Sequence, residues 1–564
     1  MKRNMVFLLS LLMITVLMFT GCASTSGTTT ATPTPTTTAT STDLTVNSTQ
    51  QDSTKETETQ KEPSIIKMMT QDAWNQEVSI TVDTPIQKEL EKLANVKIEW
   101  ETATPGDNFD TLVRTRFASG SDIPDIVFSG AFSNTEAINL VKNGIIIPLE
   151  ELIDKVAPNI KKIYYETKPN ALKYTKASDG HLYWIGYFDG DAMTNVQSCP
   201  TIRKDWLDAV GITKIPETTD EFYNAIKTMY EKDPNGNKKK DEVIIGGCIR
   251  DISDAFGVKN LTSSSQRSFY EDENGQIKNA WTADETKEYI SYISKIFKEG
   301  LIDPEAFTMS SSETKAKLLQ NKCSATFEDG LYKAGMMNKD CDKNGLKGAY
   351  YVSTLPLKGP QGQQGVLANM DLPQGKCFIT KNCKDPEAAM RFLDVCMSPE
   401  GFNMLKYGVE NIDWTMGTDG NPVITEKFKE NMEADKNYLQ KQGGCLYSSL
   451  PKVCPDTNAD QTVDSWQTWQ LEYTPEREWV KKIAEASEKC KYYGFQEGVA
   501  TEEEQQEIDS ASKELWTYMD EMAVKFVMGK EPLENWDKYV VKCNELGLDK
   551  AIGAYQKMND RMKK

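Results

Sequence analysis

Histidine is almost absent: His181 is the only one in 564 residues. This argues against His-rich zinc sites, and any Ser-His-Asp or Cys-His catalysis would have to run through that one side chain. Positive charge is in deficit too, with Lys plus Arg at 65 against 84 Asp plus Glu and a formal net charge of −19. No Lys/Arg stripe stands out, which speaks against a nucleic-acid partner and against a polybasic hold on anionic lipid. Paired C-x-x-C spacing is missing among the 12 cysteines, so a metal-thiolate framework is not expected. The sequence leaves their pairing open. Beyond the N-terminus no run is long and apolar enough to span a membrane, and no repeat of solenoid period occurs. The length allows roughly two to four domains.

What is present begins with MKRNMVFLLSLLMITVLMFTGC. Lys2 and Arg3 precede an apolar run over 5–19, too short for a span of about 20 residues but suited to an export signal. Thr20 and Gly21 before Cys22 resemble a bacterial lipobox, with Phe19 where that box has Leu. The expectation is a signal peptide over 1–21, cleavage before Cys22 and lipidation of its thiol. An ordinary secreted protein with a coincidental cysteine is the alternative. Thr, Ser and Pro dominate 23–62, which therefore lacks the apolar surface to offset ordering entropy. Residues 22–63 read as a lipidated tether, reaching on the order of 35 Å as a loose coil.

From Ile65 onward the pattern alternates strand and helix. SIIKMMT reads as a strand. Ile86, Leu90 and Leu93 keep helical spacing before the alternating VKIEW. GDNFDTLVRTRFASG reads as a helix stopped by Gly120, DIPDIVFSG as a buried strand, IIIPLEELIDKVAPNIKKI as strand, turn and helix, and SDGHLYWIGYF as a turn and an aromatic strand. This rhythm argues for α/β layers with parallel strands. Helices dominate after Pro200. KDPEAAMRFLDVCMSPEGFNMLKYG reads as a helix pair stopped by Gly408, and the tail from about 502 to 564 as two amphipathic helices split by Gly529 and Pro532.

In this order CPTIRKDWLDAVGITKIPETTDEFYNAIKTMYEKDPNGNKKKDEV, DIPDIVFSG, MSPEGFNMLKYGVE and KFVMGKEPLENWDKYVVKCNELGLDKAIGAYQKMNDR resemble the extracellular solute-binding lipoproteins of ABC transporters. The likeness is to the large subfamily of oligosaccharide and alginate receptors, and it covers about 65–564. It implies a two-lobed α/β fold of the type II periplasmic-binding-protein kind, each lobe a sheet flanked by helices, with a helical C-terminal region. It also implies chain exchange between lobes: 64–195 with about 370–440 in one, and 196–369 with about 441–564 in the other. The implied function is capture of a carbohydrate by lobe closure, without catalysis, by a monomer that serves ABC permease subunits at the extracellular face of a bacterial membrane. A glycoside hydrolase with paired carboxylates is the enzymatic alternative, and an adhesin without an interlobe cleft the third.

The sharpest motif is DPNGNKKKDE at 233–242. Side-chain oxygens at positions 1, 3, 5, 9 and 10, with a carbonyl at 7, suit a hard cation such as calcium. The spacing resembles an EF-hand loop, but position 6 is Lys238 instead of Gly and position 12 is Ile244 instead of Glu. Alginate-receptor relatives carry this order as a structural calcium site. The resemblance therefore assigns Asp233, Asn235, Asn237, Lys239 (through its carbonyl), Asp241 and Glu242; a solvated polar turn is the bland reading. Candidate ligand residues are Asp125, Ser129 and Phe132 around a strand end, Trp184 and Asp189 in the aromatic strand, Arg203, Phe327, Asp329, Trp414 and Trp466. Aromatic faces stack on sugar C–H surfaces while Asp and Arg bind hydroxyls; each aromatic is otherwise a core residue, and Arg203 a cation paired with Asp205 or Asp208. A stacking Trp184 would act on binding without unfolding the protein. His181 is expected to be exposed and structural.

Overall fold

The computed structural model describes residues 62–71, 84–103, 107–130, 132–188, 199–247, 252–262, 264–307, 309, 311–327, 333–368, 370, 372–418, 420, 422–435, 437–444, 450–451, 475–511 and 513–563. Local signals set the first elements. Pro85 opens the helix Pro85–Ala94, Thr84 and Gln87 cap it reciprocally, and Asn95 ends it in the left-handed region at φ 50°. The chain then enters the strand Val96–Ala103.

Five strands make the first sheet, in the order Val96–Ala103, Ser64–Gln71, Ile126–Ser129, Gln374–Ile379, Ile185–Tyr187. The first three are parallel; Gln374–Ile379 runs antiparallel to both of its neighbours. Alternation along the strands sends Ile126, Phe128, Cys377 and Ile379 into one core, and Val127 and Phe378 into another. Helices cover both faces, so the central strand Ile126–Ser129 is buried along its whole length.

The second sheet orders Tyr351–Ser353, Thr201–Arg203, Cys323–Phe327 and Val243–Gly247. Its core also takes the C-terminal helices, through Leu515, Met519, Phe526, Trp536, Tyr539 and Met558. The chain leaves the first sheet after Tyr187 and returns to it after Ser353. Gly359 lies in that return, where a Cβ would sit 1.6 Å from the Ala255 carbonyl oxygen, so the backbones touch only because no side chain intervenes.

Three expectations need correction. The sheets are mixed, not wholly parallel. The segment at 145–149 makes one isolated bridge, Ile146 to Thr380, and its helix breaks in two at Ala157 and Pro158. The tail forms four α-helices, Glu502–Asp509, Lys513–Val527, Trp536–Glu545 and Leu548–Met562. Gly547, at φ 105°, adds a break that the apolar spacing did not announce.

Candidate functional site

In α/β sheets ligands sit beyond the carboxyl ends of the strands. Here Gln71, Ala103, Ser129 and Tyr187 end at one edge of the first sheet, joined by Gln374 at the start of its antiparallel strand. Tyr187 donates its hydroxyl to Gln374 Oε1 at 3.1 Å. Lys376, paired across the ladder with Ser129, donates Nζ to the Phe132 carbonyl at 2.7 Å and lies 5.7 Å from the Trp184 ring centre. Burial lowers its pKa to about 8, against the opposing fields of Glu136 and Glu497.

The structure brings Ser129, Phe132 and Trp184 together here, but not as stacking groups. Phe132 and Trp184 are buried against Phe378, at 5.6 and 6.2 Å between ring centres. The remaining described candidates are structural. Asp125 precedes its strand, at the opposite edge, and accepts from Lys67 N at 2.8 Å. Arg203 is 3% exposed, bonded to Asp205 and Asn321 and stacked over Trp206, so its guanidinium is occupied inside the protein. Phe327 packs on Phe222 in the second core. Trp414 is buried and closes a turn by donating Nε1 to the Gly408 carbonyl. Cys22, Asp189, Asp329 and Trp466 lie outside the described residues. His181 is exposed, 3.4 Å from Glu150.

Residues 233–242 form the second candidate site. Thr218 and Glu221 cap the helix Thr219–Lys232, and Asp233 ends it at φ 50°. Asp233 accepts from the backbone amides of Asn237 and Lys238, Asn235 from that of Asn237, and Asn237 from that of Lys239. Lys238 takes the left-handed conformation at φ 62° without being glycine, at a cost of about 1–2 kcal/mol. Ile244 is fully buried in the following strand, which leaves Glu242 as the last carboxylate of the loop.

Glu242 is itself fully buried, and its Oε1 has no hydrogen-bond partner among the described residues. Burial raises its pKa, and the charges of Asp233 and Asp241 push the same way. Burial also acts to raise Asp241, but the side-chain amides of Asn237 and Asn235 and the nearby Lys322 and Lys239 outweigh it and hold that carboxylate low. An orphaned buried oxygen among carboxylates is the environment a cation neutralises. The donor set is all oxygen and fits a hard ion, although no group of three or more His, Cys, Asp or Glu arranged for a metal occurs among the described residues. Asp241 Oδ1 accepts from the side-chain amides of Asn235 at 3.2 Å and Asn237 at 2.9 Å.

Sequence reasoning missed the contacts between the helix Asn134–Lys142 and residues 498–505. Asn134 and Thr135 bond to the Gly498 carbonyl and Gln505, Lys142 pairs with Glu502 at 3.0 Å, and Val499 enters the core that holds Trp184. A cavity of about 230 Å³ lies there, lined by Asn134, Ile138, Ala500, Gln505 and Asp509 among others. It is smaller than ordinary ligand pockets of about 300–1,000 Å³.

Also missed was Asp254, which accepts from the Tyr492 hydroxyl while Tyr492 accepts from Asn260 N at 2.8 Å. Burial raises the Asp254 pKa to about 6, although the bonds from Tyr492 and the Leu367 backbone favour its ionised form. The fold therefore prefers the protonated acid: this contribution is fully present below pH 3.8 and is lost as pH rises through about 6. Because the side chain keeps some exposure, screening limits the effect to about 2 kcal/mol at pH 7. Asp254→Asn, which cannot ionise, is expected to melt above the wild type at pH 7–8 and to lose that advantage toward pH 4. A parallel pair of melting curves would sink this account.

The sequence model of the bacterial extracellular solute-binding protein family matches residues 75–401. The chain is 31% identical over 327 residues to the fructooligosaccharide ABC transporter substrate-binding protein FusA of Streptococcus pneumoniae, covering 56% of this chain. That alignment spans 57% of FusA, less than two thirds of its length. Among solved structures, the alginate-binding protein AlgQ2 without calcium ion superimposes with a TM-score of 0.66 at 24% identity, over 89% of this chain and 98% of that one. An EF-hand mutant of S. pneumoniae FusA in complex with fructo-nystose gives 0.66 at 22% identity, over 89% and 99%. At these identities the two structures speak to the fold.

Proposed function

Because this chain belongs to the bacterial extracellular solute-binding protein family, we propose that it is the capture subunit of an ABC importer and that its ligand is an oligosaccharide. The observation that carries the reading is the reach of the family match, which includes all of the second sheet and every strand of the first except Ser64–Gln71. A binding protein of this kind closes two lobes on its ligand and releases it unchanged. The lobes proposed are 64–195 with about 370–440, and 196–369 with about 441–564. The fructooligosaccharide-binding FusA and the alginate-binding AlgQ2 support a glycan ligand. So does the polar strand-end edge of Tyr187, Gln374 and Lys376. Family membership favours binding over the hydrolase alternative.

Calcium held by Asp233, Asn235, Asn237, the Lys239 carbonyl, Asp241 and Glu242 would fix the loop and do no chemistry. Support comes from the Glu242 oxygen that has no partner among the described residues, and from neighbours described as AlgQ2 without calcium ion and as an EF-hand mutant of FusA. Lipidation at Cys22 would anchor a monomer at the extracellular face of the membrane, beside its permease. The test uses one preparation, the protein extracted from its own membranes. Mass spectrometry should find a lipidated Cys22 as the N-terminal residue. Melting in the presence of fructooligosaccharides or alginate oligomers should rise with one of these classes, by about 2.7 kcal/mol of added stability at a hundredfold excess over Kd, and chromatography should recover the glycan intact. Cleaved glycan, or no shift with any glycan, removes the capture reading; an unmodified N-terminus removes the anchor.

A further inference from the structure

Two short strands run side by side between the two sheets. Val366–Ala368 and Lys491–Tyr493 pair in parallel as a sheet of their own, with Leu367 opposite Tyr492. Upstream, both set out from the second sheet. Ser353 ends its edge strand, and Trp479, in the helix Pro475–Glu488, donates Nε1 to the Ser353 carbonyl at 2.8 Å. Downstream, both enter one core of the first sheet within a few residues. Ala368 leads to the strand Gln374–Ile379, and Tyr493 leads to Val499, which is buried with Phe378 of that strand. The pair is therefore a double connection between the sheets, with both chains running the same way.

A two-stranded ribbon is marginal alone. Asp254 holds this one. It lies in the short helix Ser253–Phe256, whose Ala255 and Phe256 belong to the core of the second sheet. Its carboxylate accepts from the Tyr492 hydroxyl on one strand and from the Leu367 amide on the other, the two residues that face each other in the ladder. Gly365 makes room for the contact: a Cβ there would lie 3.2 Å from Asp254 Cβ and 3.4 Å from the Tyr492 ring. The Tyr492 oxygen accepts in turn from Asn260 N at 2.8 Å, and Asn260 donates Nδ2 to the Phe269 carbonyl, so the second core backs the contact from behind. Among the described residues Asp254 forms no ion pair; its carboxylate serves as a hydrogen-bond acceptor.

We propose that Asp254 is a positioning residue for ligand capture, clasping both connecting strands to the second core and so fixing the path along which the lobes close. This rests on the two-lobed capture reading above. The bonds of Asp254 go to the connectors and not to the edge of Tyr187, Gln374 and Lys376, so its effect on affinity is indirect. Closure turns on the few residues that join two lobes. Connectors already held in the competent geometry leave less order for the ligand to impose. The clasp requires an acceptor and not a charge, so an amide oxygen can replace the carboxylate.

The test compares the wild type with Asp254→Ala, Asp254→Asn and Tyr492→Phe. Hydrogen exchange and X-ray scattering are measured on the ligand-free protein, and affinity by calorimetric titration with fructooligosaccharides and with alginate oligomers. Asp254→Ala is expected to speed exchange at 366–368 and 491–493 together and to enlarge the ligand-free radius of gyration. It should weaken whichever glycan the wild type binds by about 3- to 10-fold, the scale of a residue that modulates binding without touching the ligand. Asp254→Asn should keep exchange, scattering and affinity near wild type. Tyr492→Phe, which removes one of the two bonds, should fall between and keeps the test sound if Asp254→Ala misfolds. Faster exchange with unchanged affinity would show that Asp254 serves packing alone and would overturn the clasp. So would unchanged exchange in either strand, or Asp254→Asn as weak as Asp254→Ala. If the wild type binds neither glycan, the oligosaccharide reading falls, and exchange and scattering decide the clasp: an Asp254→Ala profile that matches the wild type overturns it.

Discussion

In calcium, Glu242→Gln is expected to melt well below the wild type, and in chelator to match or exceed it. The reversal follows from the local electrostatics. Without an ion, Glu242 is a buried carboxylate with an unpartnered Oε1, facing the charges of Asp233 and Asp241. Removing its charge then relieves repulsion, and an unsatisfied buried group costs about 1–3 kcal/mol. On the proposed assignment the same oxygen would be a calcium ligand, and binding would stabilise the wild type by about 4 kcal/mol at a thousandfold excess over Kd. The variant, lacking the charge needed to complete the site, should gain little of this. Ligand affinity at permissive temperature should change little in either case, because the loop leads into a strand of the second sheet and, among the described residues, makes no hydrogen bond to the strand-end edge that carries Lys376. Equal destabilisation of the variant in calcium and in chelator would show that Glu242 serves packing alone.

Trp184→Ala is expected to destabilise the protein by about 3–5 kcal/mol, the cost of emptying a buried aromatic site. Trp184 is 3% exposed, packs edge-on against Phe378, and forms the floor under the Lys376 ammonium. Its loss would open a cavity in the core that Phe109, Val113, Phe117 and Phe132 share. Denaturant melts should show the drop with no ligand present. At temperatures where the variant stays folded, glycan affinity should weaken only through the displaced Lys376, so Lys376→Met in the same background should add little further loss. A stable variant with abolished binding would return Trp184 to the list of stacking residues.

The turn geometry of residues 233–242, for which calcium is proposed, was legible because its hydrogen bonds are local. Ligand oxygens two to four residues apart are held by turns within ten residues of chain, so spacing alone carries the information. The missing glycine at position 6 was legible too, but not its consequence: Lys238 simply pays the left-handed strain. Ligand residues were read far less well. Period-two alternation separates the faces of a strand but does not say which face meets water. In the aromatic strand Trp184 and Ile185 point into different cores and both are buried, because helices cover the sheet on each side. Arg203 was legible in part, since its pairing with Asp205 is local, but the rest of its surroundings was not. Its partner Asn321 lies over a hundred residues away, and no spacing rule connects them.

By itself the sequence determined the alternation of helices and strands, the caps and turns that bound them, the Asn/Asp-rich turn after Lys232 and the acidic charge balance, since each depends on neighbours along the chain or on composition. Tertiary structure alone decided which aromatics are core and that Asp254 meets Tyr492. That pairing joins residues 238 positions apart, and burial, which sets charge states, is a property of the packed layers and of no local segment.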